Sequence, residues 1–332
     1  MILAGDIGGT NSRLAVFDSD FNKVEEKVYK NAGRSSLQGI VAEFRATFSH
    51  PIERACFAVA GPVSEGKVTL TNLSWHLEEK QLAEELKVAS VGLINDLMGH
   101  AEGIEVLSPD KFITLNAGRT VPSGQRAVIA AGTGLGEAGL FFDAKTGRYR
   151  SFPSEGGHAD FSPTNEEEDA LLHFLRSKLK HVYWEAVLSG RGLRNLYDFY
   201  CAGGKFSKSD ELPDKPTGEG GGAGAGPSPA DISQAGLSGS SRIAVAALEL
   251  FVRLYGAEAG NLALTMLSTG GVYLGGGIAP RIVTKLQSPQ FLNAFWAKST
   301  EKLETLMKQF PIHVINFDLG GLYGAANYAR HL

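Results

Sequence analysis

Val88–Glu105, VASVGLINDLMGHAEGIE, is the stretch whose reading decides the fold. The apolar run through Ile94 lacks polar/apolar alternation, so it reads as a parallel strand buried on both faces. It stops at Asn95-Asp96, and Leu97 onward reads as the start of a helix. An amide and a carboxylate at the carboxyl end of a buried strand stand where α/β folds bind ligands. A plainer reading is that Asp96 caps the helix by accepting hydrogen bonds from its first N–H groups. Both readings stay open on this stretch alone.

The chain has 332 residues, 43% of them hydrophobic and 20% charged, which describes a globular protein long enough for two domains. A net charge of -4 gives no electrostatic footprint for nucleic acid or an anionic membrane. Two cysteines, Cys56 and Cys201, exclude a disulfide framework and a cysteine-built zinc site. Cys56 falls in the apolar run Ala55–Ala60 and reads as a small buried hydrophobe. No apolar segment reaches transmembrane length, and the first strand begins at once, so a cytoplasmic protein is expected.

Ile2–Arg13, ILAGDIGGTNSR, leads into the strand Leu14–Phe17 and so reads as a hairpin rather than a strand-to-helix phosphate loop. Gly8 and Gly9 are expected to take positive φ and bring backbone N–H groups to a phosphate, with the Thr10 hydroxyl and Asn11 amide adding donors. Asp6 beside them suits Mg²⁺, held directly or through water. A tight hairpin with no ligand would use the same residues. Further along, Glu26–Tyr29 and Ala55–Ala60 are expected strands, and 37–48 and Leu77–Leu86 expected helices. Asn72 reads as a turn residue and Trp75 as core.

Ala127–Leu140, AVIAAGTGLGEAGL, repeats the opening design, with Gly132, Thr133 and Gly134 as a second candidate phosphate loop. A shared anion would explain both loops at once, and the pair points to a nucleotide held by two related halves. Glu155 and His158 lie three residues apart in SEGGHAD, with no third cluster to complete a metal site. Asn165 is expected to cap the helix that follows Pro163, with Glu168 closing a capping box and Leu171, Phe174, Leu175 and Leu179 as its buried stripe. Glu185, in WEAVLSGRG, reads locally as a first-turn glutamate. The glycine-rich stretch near 217–229 is expected to be a flexible excursion. In GGVYLGGGI (270–278), Gly275 and Gly276 leave the backbone open to lie against an adenine ring. Ile312–Asp318 is the last expected strand, and Gly320–Arg330 a helix of small residues returning to the first domain.

Taken together, DIGGTNSR, AGPV, LTNLSW, LINDL, AGTGLG, SEGGHADF, VLSG and GGVYLGGGI resemble the bacterial-type glucokinases, the non-zinc group of the actin-like sugar kinase superfamily. The resemblance spans nearly the whole chain; Arg191 and the glycine-rich stretch depart from it. It implies an α/β, actin-like (ribonuclease H-like) two-domain fold with an interdomain cleft: 1–107 plus 312–332 as one domain and 108–311 as the other. It further implies glucose held by Asn95, Asp96, Glu155, His158 and Glu185, with Gly134 or Leu135 nearby. Asp96 is then the base for the 6-hydroxyl. ATP and Mg²⁺ are the implied cofactors and a homodimer the implied assembly. Carboxylates suit this task because they only accept hydrogen bonds and a sugar hydroxyl can donate one. The alternatives are a kinase for mannose, fructose or an N-acetyl amino sugar, or a non-catalytic sugar-sensing regulator. Asp6, Asp96 and both loops, with no helix-turn-helix segment, weigh against the regulator.

Overall fold

A computed structural model describes residues 1–47, 50–70, 73–213 and 226–332 of the chain. Asn72, Phe48 and the glycine-rich stretch through residue 225 lie outside the described residues. The first part of the chain forms β1 (Ile2–Ile7), β2 (Asn11–Phe17), β3 (Lys23–Lys30), α1 (Leu37–Arg45), β4 (Arg54–Val59), β5 (Lys67–Leu70), β6 (Trp75–Glu78), α2 (Glu79–Leu86), β7 (Ser90–Asn95) and α3 (Asp96–Gly103). There follow β8 (Phe112–Asn116), β9 (Arg126–Ala131), β10 (Leu135–Asp143), β11 (Arg148–Ser154), α4 (Glu166–Arg176), α5 (Gly190–Ala202), α6 (Pro229–Ser238) and α7 (Arg242–Met266). The chain closes with β12 (Gly271–Gly275), α8 (Val283–Leu286), α9 (Pro289–Trp296), α10 (Glu301–Met307), β13 (Ile312–Ile315) and α11 (Gly320–Ala329).

Two compact units result: Met1–Lys111, Ala138–Pro153 and Phe317–Leu332 in the first, Phe112–Glu137 and Ser154–Asn316 in the second. This differs from the expected division in three places, the first being that the opening segment runs to Lys111 rather than 107. Residues 138–153 group with the first unit, where the Ser151 hydroxyl donates to the buried Glu102 carboxylate at 2.7 Å. The return to that unit comes at Phe317 rather than 312, because β13 pairs with β12 and β8 of the second sheet.

The first sheet runs β3-β2-β1-β4-β7, with β1 antiparallel to β2 and parallel to β4, and β4 parallel to β7. Register aligns Ile7 with Val59 and Val59 with Asn95, so the carboxyl ends of three strands share one edge. Asp6 and Asp96 are brought to that edge by pairing alone. Cys56 is buried with Ala4, Ala58, Ile94 and Leu322, as its apolar setting predicts. Burying a side chain such as Leu322 fully is worth about 1.5–3 kcal/mol, and this small-residue layer brings α11 against the sheet. The same smallness lets α11 approach α3 closely. A Cβ on Gly324 would overlap the Gly99 carbonyl, so the position of α3, and of Asp96 at its start, depends on having no side chain there.

The second sheet has the order β11-β10-β9-β12-β13-β8. β9 and β12 are parallel, with Ala130 opposite Gly275, which sets the Gly132 and Gly276 turns at one edge. The 25-residue α7 is its principal cover and is buried on several sides, Leu248, Phe251 and Tyr255 among its core residues. The Tyr255 hydroxyl donates to the Ile129 carbonyl at 3.2 Å and accepts from Ala131 N–H at 3.4 Å, tying the helix to the end of β9. Burial pushes the Tyr255 phenol well up, keeping it a neutral donor.

Several local expectations change. Trp75–Glu78 is a strand paired with β5, so the helix expected from Leu77 starts at Glu79. A four-residue run alternating buried and exposed positions satisfies a two-stranded ribbon better than a helix turn. Glu168 accepts from the N–H and hydroxyl of Thr164, not from the Asn165 N–H, so no reciprocal box forms, although Asn165 does cap α4. Leu171 and Leu175 are buried in its stripe, while Phe174 and Leu179 pack at the margin. The last strand stops at Ile315 rather than Asp318. No single helix among the described residues is long and apolar enough to cross a membrane.

Candidate active site

At the end of β7 the two open readings separate. Asn95, not Asp96, is the N-cap of α3: its side-chain carbonyl accepts from Met98 N–H at 2.7 Å. Asp96 follows as the first helical residue, its Oδ1 accepting from the Leu97 N–H at 2.9 Å. The cap is satisfied by a neutral amide, which leaves the Asp96 Oδ2 and the Asn95 Nδ2 for other partners. A carboxylate in the first turn is also favoured by the helix dipole.

Asp96 reaches solvent, yet protein crowds its carboxylate. Burial raises its pKa above the ordinary carboxylate value, against a downward pull from His100 and the Leu97 N–H; the Asp6 charge adds to the rise. Asp6 is raised for the same first reason, with His100 and Arg13 opposing. A Cβ on Gly321 would sit 3.6 Å from the Asp6 carboxylate and 3.9 Å from the His100 ring nitrogen, so the bare helix start borders both groups. Among the described residues the Asp6 side chain has no hydrogen-bond partner. A half-buried carboxylate with free oxygens suits a hard cation that keeps several waters and is shared with phosphates. Among the described residues no group of three or more His, Cys, Asp or Glu could hold a metal ion, so a cage built from protein alone is not what these residues form.

The hairpin after Asp6 is held differently from expectation. Neither Gly8 nor Gly9 takes positive φ. The turn closes through the Gly8 N–H, which donates to the Asn11 carbonyl at 3.0 Å, and Asn11 already belongs to β2. Gly9, Thr10 and Asn11 are exposed. Their support is Asn31, which sequence reasoning missed. Its amide donates to the Gly8 carbonyl at 2.8 Å, its side-chain oxygen accepts from the Ser12 hydroxyl at 2.7 Å, and its N–H donates to the Thr10 carbonyl at 2.9 Å. A single Asn after a polar edge strand carries no local signal of this task; only strand pairing brings it under the turn.

In the second unit, Gly132-Thr133-Gly134 joins β9 to β10, and the Gly132 N–H donates to the Gly134 carbonyl at 2.8 Å. Glu185 lies in a short 3-10 turn, Trp184–Ala186, rather than in a helix start. Its Oε2 accepts from the Leu135 N–H at 3.0 Å. A Cβ on Gly134 would stand 2.5 Å from that oxygen, so glycine there is what admits the carboxylate. Glu155 precedes the short helix Gly156–His158 and His158 ends it, both exposed, with the His158 ring 5.1 Å from that of Tyr183. A Cβ on Gly157 would overlap the Leu135 carbonyl, so this loop and the Glu185 turn both rest on the same residue of β10. The unit thus gathers Gly134, Leu135, Glu155, His158 and Glu185. Gly276 takes a φ of 78° beside the Ala131 backbone, and the backbone around Gly277 is open.

An acid at the edge of the first sheet with a glycine hairpin after β1, and the carboxylates Glu155 and Glu185 beside the Gly132–Gly134 turn, are what the two units offer for binding and catalysis. A sequence model described as Glucokinase matches residues 3–332. A glucokinase from Nostoc sp. is 39% identical over 345 residues, covering 100% of this chain and 99% of the relative. A glucokinase from Synechocystis sp. is 38% identical, covering 98% and 96%. The crystal structure of glucokinase from an Antarctic psychrotroph superposes with a TM-score of 0.86 at 31% identity, over 100% of this chain and 99% of that one. A glucokinase of the ROK family from Streptomyces griseus, crystallised with glucose and AMPPNP, shares the fold at a TM-score of 0.64 and 21% identity, over 100% and 99% of the two chains. The chain belongs to the glucokinase family.

Proposed function

We propose that this chain transfers the terminal phosphoryl group of Mg²⁺·ATP to the 6-hydroxyl of D-glucose, releasing ADP and glucose 6-phosphate, with Asp96 as general base. The observation that carries this reading is Asp96 itself: a carboxylate at the carboxyl edge of a buried strand, relieved of capping duty by Asn95 and oriented through its Oδ1. Asp96 Oδ2 accepts the proton as the sugar oxygen bonds to phosphorus. A carboxylate is a weak base for an alcohol, and it suffices where a loose transition state makes proton transfer late and positioning dominant. Its raised pKa brings it nearer the working pH.

Asn95 Nδ2 donates to a sugar hydroxyl, while Glu155 and Glu185 accept from others and His158 completes the set. Each hydroxyl is then matched to a group left unpaired by any sugar lacking it, which rejects such analogues strongly. Backbone N–H groups at Gly8–Asn11 and Gly132–Gly134 receive the phosphates, with Gly275 and Gly276 against the adenine. Asp6 would hold Mg²⁺, which offsets charge on the phosphoryl oxygens. The use of ATP is supported by the AMPPNP complex of the Streptomyces griseus protein. The same reading makes the chain a cytoplasmic homodimer; light scattering on the purified protein checks the dimer.

The test is a coupled assay for glucose 6-phosphate with ATP and Mg²⁺ on a panel of glucose, mannose, fructose and N-acetylglucosamine. Glucose is expected to give the highest kcat/KM. Preference for another hexose, or normal turnover in Asp96→Asn, would overturn the proposal.

A further inference from the structure

Beneath the Glu155–His158 loop lies one acidic side chain, Glu137, and a second, Glu258, acts on it; the phosphoryl transfer uses neither. Glu137, on β10 two residues beyond Leu135, is 3% exposed, and Glu258, on α7, is 5% exposed. A Cβ on Gly156 would overlap the Glu137 Oε2, so this carboxyl is the floor on which the loop backbone rests. The Gly156 N–H is taken by the Ser154 hydroxyl at 2.8 Å and does not serve the carboxylate. Glu137 Oε1 is buried without a hydrogen-bond partner among the described residues. Glu258 is better provided: Asn261 Nδ2 donates to its Oε2 at 2.8 Å, and the Lys298 ammonium acts on it. Lys298 itself is anchored on the Asn261 side-chain oxygen at 2.9 Å and the Ala257 carbonyl at 3.2 Å. Tyr255, neutral and engaged with β9, also faces Glu137.

We propose that Glu137 is a positioning residue for the sugar-binding loop, holding Gly156 down by sharing one proton with Glu258. Two adjacent buried carboxyls cannot both ionise cheaply, and one retained proton converts their repulsion into an O–H···O⁻ hydrogen bond. Burial pushes Glu137 up to about 7, and burial with the charge of Glu137 pushes Glu258 up to about 8; the two titrate as a pair. Losing the shared proton leaves Glu258 with Asn261 and Lys298 but strands Glu137, whose relief is water entering where Gly156 lies. The docked loop therefore binds a proton more tightly than the undocked one. Docking is strongest in mild acid, weakens as pH rises from the ordinary carboxyl range through the raised values, and is lost above them.

The inference rests on the proposed role of Glu155 and His158 in holding the hexose. Its test is the pH dependence of the glucose KM in the full-length protein, wild type against Glu137→Gln and Glu258→Gln. An amide supplies permanently the donor that the shared proton supplies, so both variants should match wild type near pH 6. Between pH 6 and 9 the wild-type glucose KM is expected to rise about tenfold, the equivalent of one pKa step, with the ATP KM moving little. In Glu137→Gln the rise should vanish. A rise of equal size in Glu137→Gln, or a flat wild-type profile, overturns the proposal. Glu137→Leu, which keeps the volume and removes the hydrogen bond, should raise KM at every pH; tryptophan fluorescence and thermal melting separate that from misfolding. Failure of the glucokinase reading would show differently, as absence of product at pH 6 in all the proteins.

Discussion

The two glycine loops occupy corresponding places at the ends of buried strands, yet they are held by different chemistry. Gly8–Asn11 rests on Asn31, a neutral amide with 2% exposure whose side chain donates to the Gly8 carbonyl and accepts from the Ser12 hydroxyl. Gly132–Leu135 rests on Glu185, a half-buried carboxylate with one oxygen on the loop and the other left for a ligand. The first loop is scaffolded by a residue that the proposed reaction does not use. The second is scaffolded by a residue that the proposed reaction also uses on the sugar. Damage to the first should therefore appear in nucleotide binding alone, and damage to the second in both substrates.

The largest expected effect lies outside both loops and sets the scale. Asp96→Asn keeps the helix start polar and should lower kcat by about 10²–10⁴-fold with the melting temperature nearly unchanged, as steady-state kinetics and calorimetry would show. Gly134→Ala comes next. The added methyl must displace the Glu185 carboxylate, and a misplacement of about 1 Å can cost 10²-fold in rate; kcat/KM should fall for glucose and for ATP together. A loss confined to ATP would abolish the contrast between the loops.

Asn31→Ala is smaller. It removes two side-chain hydrogen bonds from a buried position, each lost partner being worth about 1–3 kcal/mol, so the protein should melt several degrees lower and its ATP KM should rise about tenfold while the glucose KM holds. Smallest is a shift in the pH profile. With Asp96 raised by burial, kcat/KM should fall on the acid side with a midpoint above the ordinary carboxylate value of about 4, because only the ionised form accepts the proton. His100 lowers the pKa of both Asp96 and Asp6, so His100→Ala should move that midpoint upward. A downward move would show that His100 acts on the site by some other means.

Long uniform patterns were readable from the chain. The parallel strands ending at Ile7, Val59 and Asn95 announce themselves as apolar runs, and Asn165 as a cap by residue type and position. Short elements were not: Trp75–Glu78 is four residues long, too few for periodicity to distinguish a ribbon strand from a helix start. The assignment of cap and acid at Asn95-Asp96 was beyond sequence as well, since either side chain can reach the first N–H groups of a helix and only the backbone path decides which does.

The amino-acid sequence by itself pointed to the α/β class, because strand burial and turn chemistry are local properties of the chain, and its motifs carried the resemblance that implied the glucokinase family and the candidate residues. The tertiary structure alone decided what supports those residues. Asn31 under the hairpin, Glu185 against Gly134, and Glu137 against Gly156 are pairings of residues between 19 and 51 positions apart. No local pattern records such contacts, since they exist only after strands and helices have packed.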